Sequence, residues 1–283
     1  VVSKFDDHLP LYRQEEIFRR EGYFLSRQKL ASWVITYYEQ LLPFIDYLKK
    51  RIYRSAFISK DETRVSVLNV KGPSGKVSKN GFMYITIGDT YDVQTRKTHS
   101  LVLLDYIQGR SREVLFEDMG KYGYTFHLMT DGLKGYLSYD KHCVCWVHAV
   151  RQLKKILKLN KHDIHALAIL KEAAKLYDID EQYRKMLRCG EIPVGQFLAT
   201  RKKESEEVID NIYAMADNIR SLYSPKGAMG KALDYLDTYK QYMKTYLDVV
   251  EATPSNNACE VVAKSFACGR NYVLSKDMLF RAA

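Results

Sequence analysis

The chain of 283 residues has no uninterrupted apolar run near the roughly 18 residues needed to span a bilayer. No signal peptide is visible either. A cytoplasmic, nucleoid-associated protein without a membrane partner is the expectation. Cysteine is scarce. The five thiols, Cys143, Cys145, Cys189, Cys259 and Cys268, are odd in number and irregularly spaced, which excludes the disulfide framework of a small secreted domain. Reduced thiols are expected. There is no CxxC pair, and no second Cys/His pair of suitable spacing joins Cys145 and His148, so a zinc ribbon is excluded. A nucleophile elbow and a Ser/His/Asp arrangement are also missing, which removes the common acyl-transfer chemistries. Internal repeats and low-complexity tracts are absent. The first residue is Val1 rather than Met, and the chain is expected to be part of a longer one.

The composition is that of a globular protein: 46% hydrophobic, 28% charged, with 22 Tyr and 11 Phe. The length suits one elaborated domain or two closely joined ones. Lys and Arg exceed Asp and Glu by enough to give a net charge of +10. That surplus points to a polyanionic partner, most simply nucleic acid.

Along the chain, Leu9 to Gly22 places Leu11, Ile17 and Phe18 on one helical stripe, with Gly22 to end it. Ser26 caps a second helix in which Leu30, Trp33, Val34, Tyr37, Leu41 and Leu42 recur at helical spacing, and Pro43 is expected to break or kink it. Helix, glycine turn, helix fits either a helix-turn-helix or two packed core helices. From residue 56 the period changes to two. Phe57, Ser59, Asp61, Thr63, Val65 and Val67 share one face, and Ile58, Lys60, Glu62, Arg64 and Ser66 the other. A turn at KGPSGK, strands at Gly81 to Gly88 and His99 to Tyr106, a short helix at Arg112 to Met119, and strands at Tyr124 to Asp131 and His142 to His148 complete a mixed α/β pattern. Helical spacing then dominates: Ala149 to Lys158, His162 to Tyr177, Asp180 to Arg188, Gly195 to Ile219 and Gly230 to Leu247. A last helix follows, capped by Thr253 or Ser255. The expected organisation is an N-terminal helical segment (1–54), the first part of an α/β core (55–148), a helical insertion (149–250), and a closing part (251–283).

Three acids stand out by position. Asp61 lies on the less polar face of the first strand, Asp131 ends the fourth strand before Gly132, and Glu260 shares a stripe of the closing helix with Asn256, Asn257 and Lys264. A carboxylate on a core-facing position needs neutralising, and Mg²⁺ with its hard oxygen ligands does so. Spacing alone leaves open that these are solvated or turn-capping acids. Glu62 sits between Lys60 and Arg64, where a surface ion pair is the simpler expectation, with assistance to the site as the alternative. Trp146 is expected in the core, and Cys145 as a small buried apolar residue. Arg151, Lys154, Lys155 and Lys158 form a basic helix face that suits a DNA backbone or plain solvent. In Arg201, Lys202 and Lys203 the charge is offset by the nearby Glu204, Glu206 and Glu207.

The segments LPLYRQEEIFRREG with LSRQKLASWV, KDETRVSVL, MTDG followed by YLSYDK, CWVHAVRQ, and SNNACEVVAKSFACGRNY resemble, in order and rough spacing, transposases of the insertion-sequence 66 family. The resemblance implies an RNase H-like core cut by a long helical insertion, and a DDE site built from Asp61 of the D-E-T motif, Asp131 of T-D-G and Glu260 of N-N-x-x-E. It implies Mg²⁺, with Mn²⁺ as substitute, two ions serving cleavage and strand transfer. Double-stranded DNA, as element ends and target, is the implied partner, with self-association on it. His148, Arg151, Lys154, Lys155, Lys158, Lys264 and Arg270 are the expected DNA contacts, the basic helix face by its charge and Arg270 by its likeness to the family's G-R-x-N segment. The sequence departs from the family pattern at Arg64, Ser255, Val261 and Ala263-Lys264-Ser265. These departures keep open a catalytically weakened DNA-binding or assembly remnant. A weaker alternative is an RNase H-like nuclease acting on RNA–DNA hybrids.

Overall fold

A computed structural model describes residues 1–71, 77–107 and 109–273, with side chains described for 1–65, 81–107 and 109–268. The expected KGPSGK turn lies almost wholly outside the described residues. The elements are α1 (Val2–Phe5), α2 (Leu11–Arg20), α3 (Arg27–Ile52), β1 (Phe57–Lys71), β2 (Val77–Asp92), β3 (Lys97–Ile107), α4 (Arg112–Lys121), β4 (His127–Thr130), β5 (His142–Val144), α5 (Trp146–Leu159), α6 (Ile164–Cys189), α7 (Val194–Ile219), α8 (Ala228–Tyr239) and α9 (Asn257–Val273). Short 3-10 turns at Lys240–Tyr242 and Thr245–Asp248 follow α8.

The result is a mixed α/β fold on a five-stranded sheet of order β3-β2-β1-β4-β5. β1, β2 and β3 form an antiparallel meander, with Asp61 opposite Ile85, while β4 runs parallel to β1 and β5 parallel to β4. The period-two pattern of β1 separates two cores. Ile58 packs with Tyr84, Leu115, Met119 and Leu128 on the side of α4. Phe57 and Met129 join Trp146, Leu153, Ile169, Ile209, Leu233 and Leu236 on the other side. The helices α5 to α8 therefore share one hydrophobic core with the sheet, and burial of that common apolar surface holds them against it. α9 lies over the same face, where Cys259 packs on Ile85 and Ile87.

Several local expectations change. Ser26 does cap α3, accepting from Lys29 N–H, but α3 continues through Pro43. Pro43 is exposed, so the Glu39 carbonyl freed by the ring can be hydrated. The fifth strand stops at Val144, and Trp146 to His148 form the first turn of α5, because the Trp146 N–H turns to Pro254 O (2.9 Å) and leaves the ladder. The two helices expected over His162 to Arg188 are one, α6. No Gly or Pro interrupts it, and Asp180 at its middle is buried and bound by Arg184 and Arg201. Only the first part of Gly230 to Leu247 is α-helix; the rest is the pair of 3-10 turns. All five cysteines are free thiols, as expected.

Candidate active site

Asp61 points from β1 to the face covered by α9. Its Oδ1 accepts the Glu62 N–H at 2.8 Å. Burial, then the neighbouring charge of Asp131, and to a smaller degree Glu260, push its carboxyl up to about 6. Asp131 follows β4. Its Oδ1 accepts from Leu133 N–H (3.1 Å), and Gly132 adopts a left-handed φ of +96° that turns the chain away from the sheet. Below it Thr130 Oγ1 accepts the Gly132 N–H (3.2 Å) and bonds His142 Nε2 (2.8 Å). His142 is fully buried, and burial pushes it down to about 4, so it is neutral at physiological pH. The helical block holds this loop as well: Tyr235 donates to Asp131 O (3.1 Å) and Tyr239 to Gly132 O.

Glu260 stands in the first turn of α9, where the helix dipole favours an acid. Both its oxygens are taken by Arg151 Nη2 (2.8 and 3.1 Å), and Lys264 Nζ lies 4.0 Å away. Arg151 also reaches His148 Nε2 at 3.1 Å. Burial lowers the His148 pKa, assisted by Arg151 and opposed by Asp131 and Glu260. Asp61, Thr63, His148, Arg151, Glu260 and Lys264 line one open cleft of about 320 Å³. Asp131 stands beside it, close enough for its charge to raise Asp61.

Among the described residues no three His, Cys, Asp or Glu side chains are gathered tightly enough to hold an ion as they stand. The donor chemistry nonetheless fits a hard divalent cation: the Asp61 and Glu260 carboxylates line the cleft and Asp131 stands beside them.

The remaining sequence candidates fall as follows. Lys154, Lys155 and Lys158 are exposed along α5. The side chain of Arg270 lies outside the described residues. Trp146 is in the core, its Nε1–H donating to Met243 O (3.0 Å), and Cys145 is fully buried. Glu62 is not at the surface, where an ion pair was expected for it. It points to the opposite face from Asp61, nearly enclosed and paired with Arg110. Burial, with Asp131 next, still pushes it up to about 7 despite that partner. Lys60 is itself buried against Tyr53 OH (3.1 Å). Arg201 is not balanced by the following glutamates. It is fully enclosed, binding Asp180 and four backbone carbonyls, while Lys202 pairs with Asp248 at 2.7 Å. Sequence reading missed the Arg151–Glu260 pair and the Tyr235/Tyr239 hold. The i, i+4 spacing of those tyrosines on a core helix was the available signal.

No helix among the described residues is long and apolar enough to cross a membrane. The family model described as "Transposase IS66 family" matches residues 1–278. Among curated proteins the chain is similar to the uncharacterized protein y4jD of Sinorhizobium fredii (strain NBRC 101917 / NGR234), 27% identical over 281 residues, covering 95% of this chain and 52% of that protein. It is also similar to y4qI of the same organism, 22% identical over 260 residues, 87% of this chain and 46% of that one. The chain thus spans about half the length of these relatives. The solved Drosophila P element transposase strand transfer complex aligns over 90% of this chain and 82% of that chain, with 13% identity and a TM-score of 0.42.

Proposed function

The chain belongs to the IS66 transposase family, and from that premise we propose that it is a DDE enzyme that cuts and joins DNA through Asp61, Asp131 and Glu260. One observation carries the reading: Asp61 from the first strand and Glu260 from the last helix line one cleft, with Asp131 near enough to raise the Asp61 carboxyl. The meander followed by two parallel strands supports an RNase H-like core interrupted by a helical insertion. The three acids are the residues that would hold Mg²⁺, or Mn²⁺ in its place. When bound, the ions would supply charge stabilisation to the attacking and leaving oxygens of a phosphodiester. The chain's own part is to aim the carboxylates and bring the phosphate to them. Arg151 and Lys264 line the cleft with positive charge suited to a phosphate, and Lys154, Lys155 and Lys158 extend that charge along α5. His148, its pKa lowered by burial, accepts from Arg151 through Nε2 and so steadies that guanidinium at the same edge. Double-stranded DNA is the partner, with a second copy of the chain on paired ends, and the nucleoid the place of work.

A second reading keeps the DNA but drops the catalysis. Two observations favour it: Arg151 already neutralises Glu260, and Val261, beside that acid, is an exposed apolar residue. The test is strand cleavage with Mg²⁺ and Mn²⁺ by wild type and by Asp61→Ala, Asp131→Ala and Glu260→Ala. Cleavage by wild type, lost in each variant while DNA binding persists, supports the enzyme. Salt-sensitive binding without cleavage in every protein supports the remnant.

A further inference from the structure

The motif around Cys145 and Trp146 and the first Asn of the Asn-Asn pair have no part in the chemistry above, yet they meet. Asn256 is 1% exposed and makes three bonds. Its side-chain Nδ2–H donates to Lys60 O at 3.0 Å, the carbonyl of the peptide that leads into Asp61. Its backbone N–H donates to Cys145 Sγ at 3.1 Å. Its carbonyl accepts the Glu260 N–H at 3.2 Å. Cys145 in turn donates its own N–H to Thr130 O at 3.1 Å, the carbonyl of the peptide that leads into Asp131. The neighbouring Trp146 N–H holds Pro254 O at 2.9 Å, which fixes the approach to Asn256.

We propose that Asn256, acting with Cys145, is the positioning residue that sets Asp61, Asp131 and Glu260 relative to one another. Four hydrogen bonds run unbroken from the peptide before Asp61, through Asn256 and Cys145, to the peptide before Asp131, and from Asn256 to the amide of Glu260 itself. Two of them end on the peptide that leads into an acid, one on the amide of Glu260 itself, and the Asn256–Cys145 bond joins these, so a change at the joint is passed to the carboxylates. The chemistry of the position is narrow. An aspartate has the same shape but sets an acceptor against the Lys60 carbonyl and adds charge to a buried acidic neighbourhood. A glutamine keeps the donor but overreaches by a methylene. Cys145 fits because a thiol is small enough for a fully buried site and accepts weakly; burial pushes it up to about 11, so it stays protonated and unreactive.

The proposal rests on the DDE reading for its functional meaning, but the joint can be read without it. In amide hydrogen exchange, Asn256→Asp is expected to speed exchange of the segment 257–261 about tenfold, the effect of losing one buried hydrogen bond, with the global melting midpoint still cooperative. Cys145→Ser, which keeps an acceptor, should retain that protection, and Cys145→Val should lose it. Unchanged protection in Asn256→Asp overturns the joint whatever the enzyme does. If Asn256→Asp does not fold, the Cys145 pair decides. The functional arm titrates Mn²⁺ calorimetrically and measures cleavage against Mg²⁺ concentration. A positioning role raises the half-saturating metal concentration about tenfold, whereas simple loss of folded protein lowers the amplitude and leaves half-saturation in place. An unmoved half-saturation point refutes the positioning role. If wild type neither binds Mn²⁺ nor cleaves, the DDE reading fails, and the exchange result alone judges the joint.

Discussion

Replacing Arg201 with Met tests how the helical block supports the cleft. The guanidinium is fully enclosed and binds Asp180 Oδ1 at 2.9 Å, Ala252 O at 2.8 Å, Tyr246 O and Leu247 O at 3.1 Å, and Val249 O at 2.7 Å. It ties the middle of α6 to the 246–252 segment that leads into Asn256 and Glu260. Met fills much of the volume but donates nothing. Asp180 keeps Arg184 as a partner (3.0 Å), and Ala252 O keeps its bond from Arg184 (2.9 Å), but three carbonyls lose this donor. Removing one side of a buried ion pair costs about 3–5 kcal/mol; Arg184 softens the loss at Asp180, and the Leu247 and Val249 carbonyls left without this donor hold the figure in that range. For a chain of this size that corresponds to a fall of about 6–20 °C in melting midpoint. Scanning calorimetry or urea denaturation measures it. Adding Asp180→Leu should not recover the loss, because Asp180 still pairs with Arg184 and its removal would leave that guanidinium without its carboxylate. A loss under about 1 kcal/mol in Arg201→Met would refute the reasoning, because it would mean that water replaces the guanidinium at no cost.

Three further outcomes are expected. Changing Lys154, Lys155 or Lys158 to Ala should lower the slope of log K against log salt for DNA binding by about one for each residue that meets a phosphate, with little effect on stability; an unchanged slope removes that lysine from the interface. His142 is neutral in the fold at a pKa near 4 against an ordinary 6.5, so its contribution is intact above about 6.5 and is lost as pH falls towards 4; in His142→Phe, stability measured across that interval should lose about 3 kcal/mol of its pH dependence. Tyr239→Phe and Tyr235→Phe should each cost about 1 kcal/mol by removing the donor to the Asp131 loop, whereas Tyr38→Phe on exposed α3 should cost nothing measurable by denaturation.

Where the sequence carried a strict period, it told the fold correctly. The alternation from Phe57 to Val67 separated Asp61 from Glu62, and the two do point to opposite faces. Boundaries set by tertiary bonds were not legible. The switch from strand to helix at Trp146 depends on Pro254, and the continuity of α6 depends on Arg201 meeting Asp180. Pro43 was read by its usual local effect, yet its exposed position makes an unpaired carbonyl tolerable. The acids could be nominated by position and by motif, but their setting could not. That Arg151 grips Glu260, and that Arg201 serves the interior rather than the surface, are facts of long-range packing invisible to spacing along the chain.

The bond between Asn256 and the Lys60 carbonyl spans 196 residues. During synthesis the sheet and most of the helical block emerge before the partner that closes the cleft exists. Non-local pairing of this kind is slow and comes late. A ribosome-bound chain lacking α9 therefore carries Asp61 and Asp131 without Glu260, and the cleft between sheet and helices stays unfinished until that helix docks.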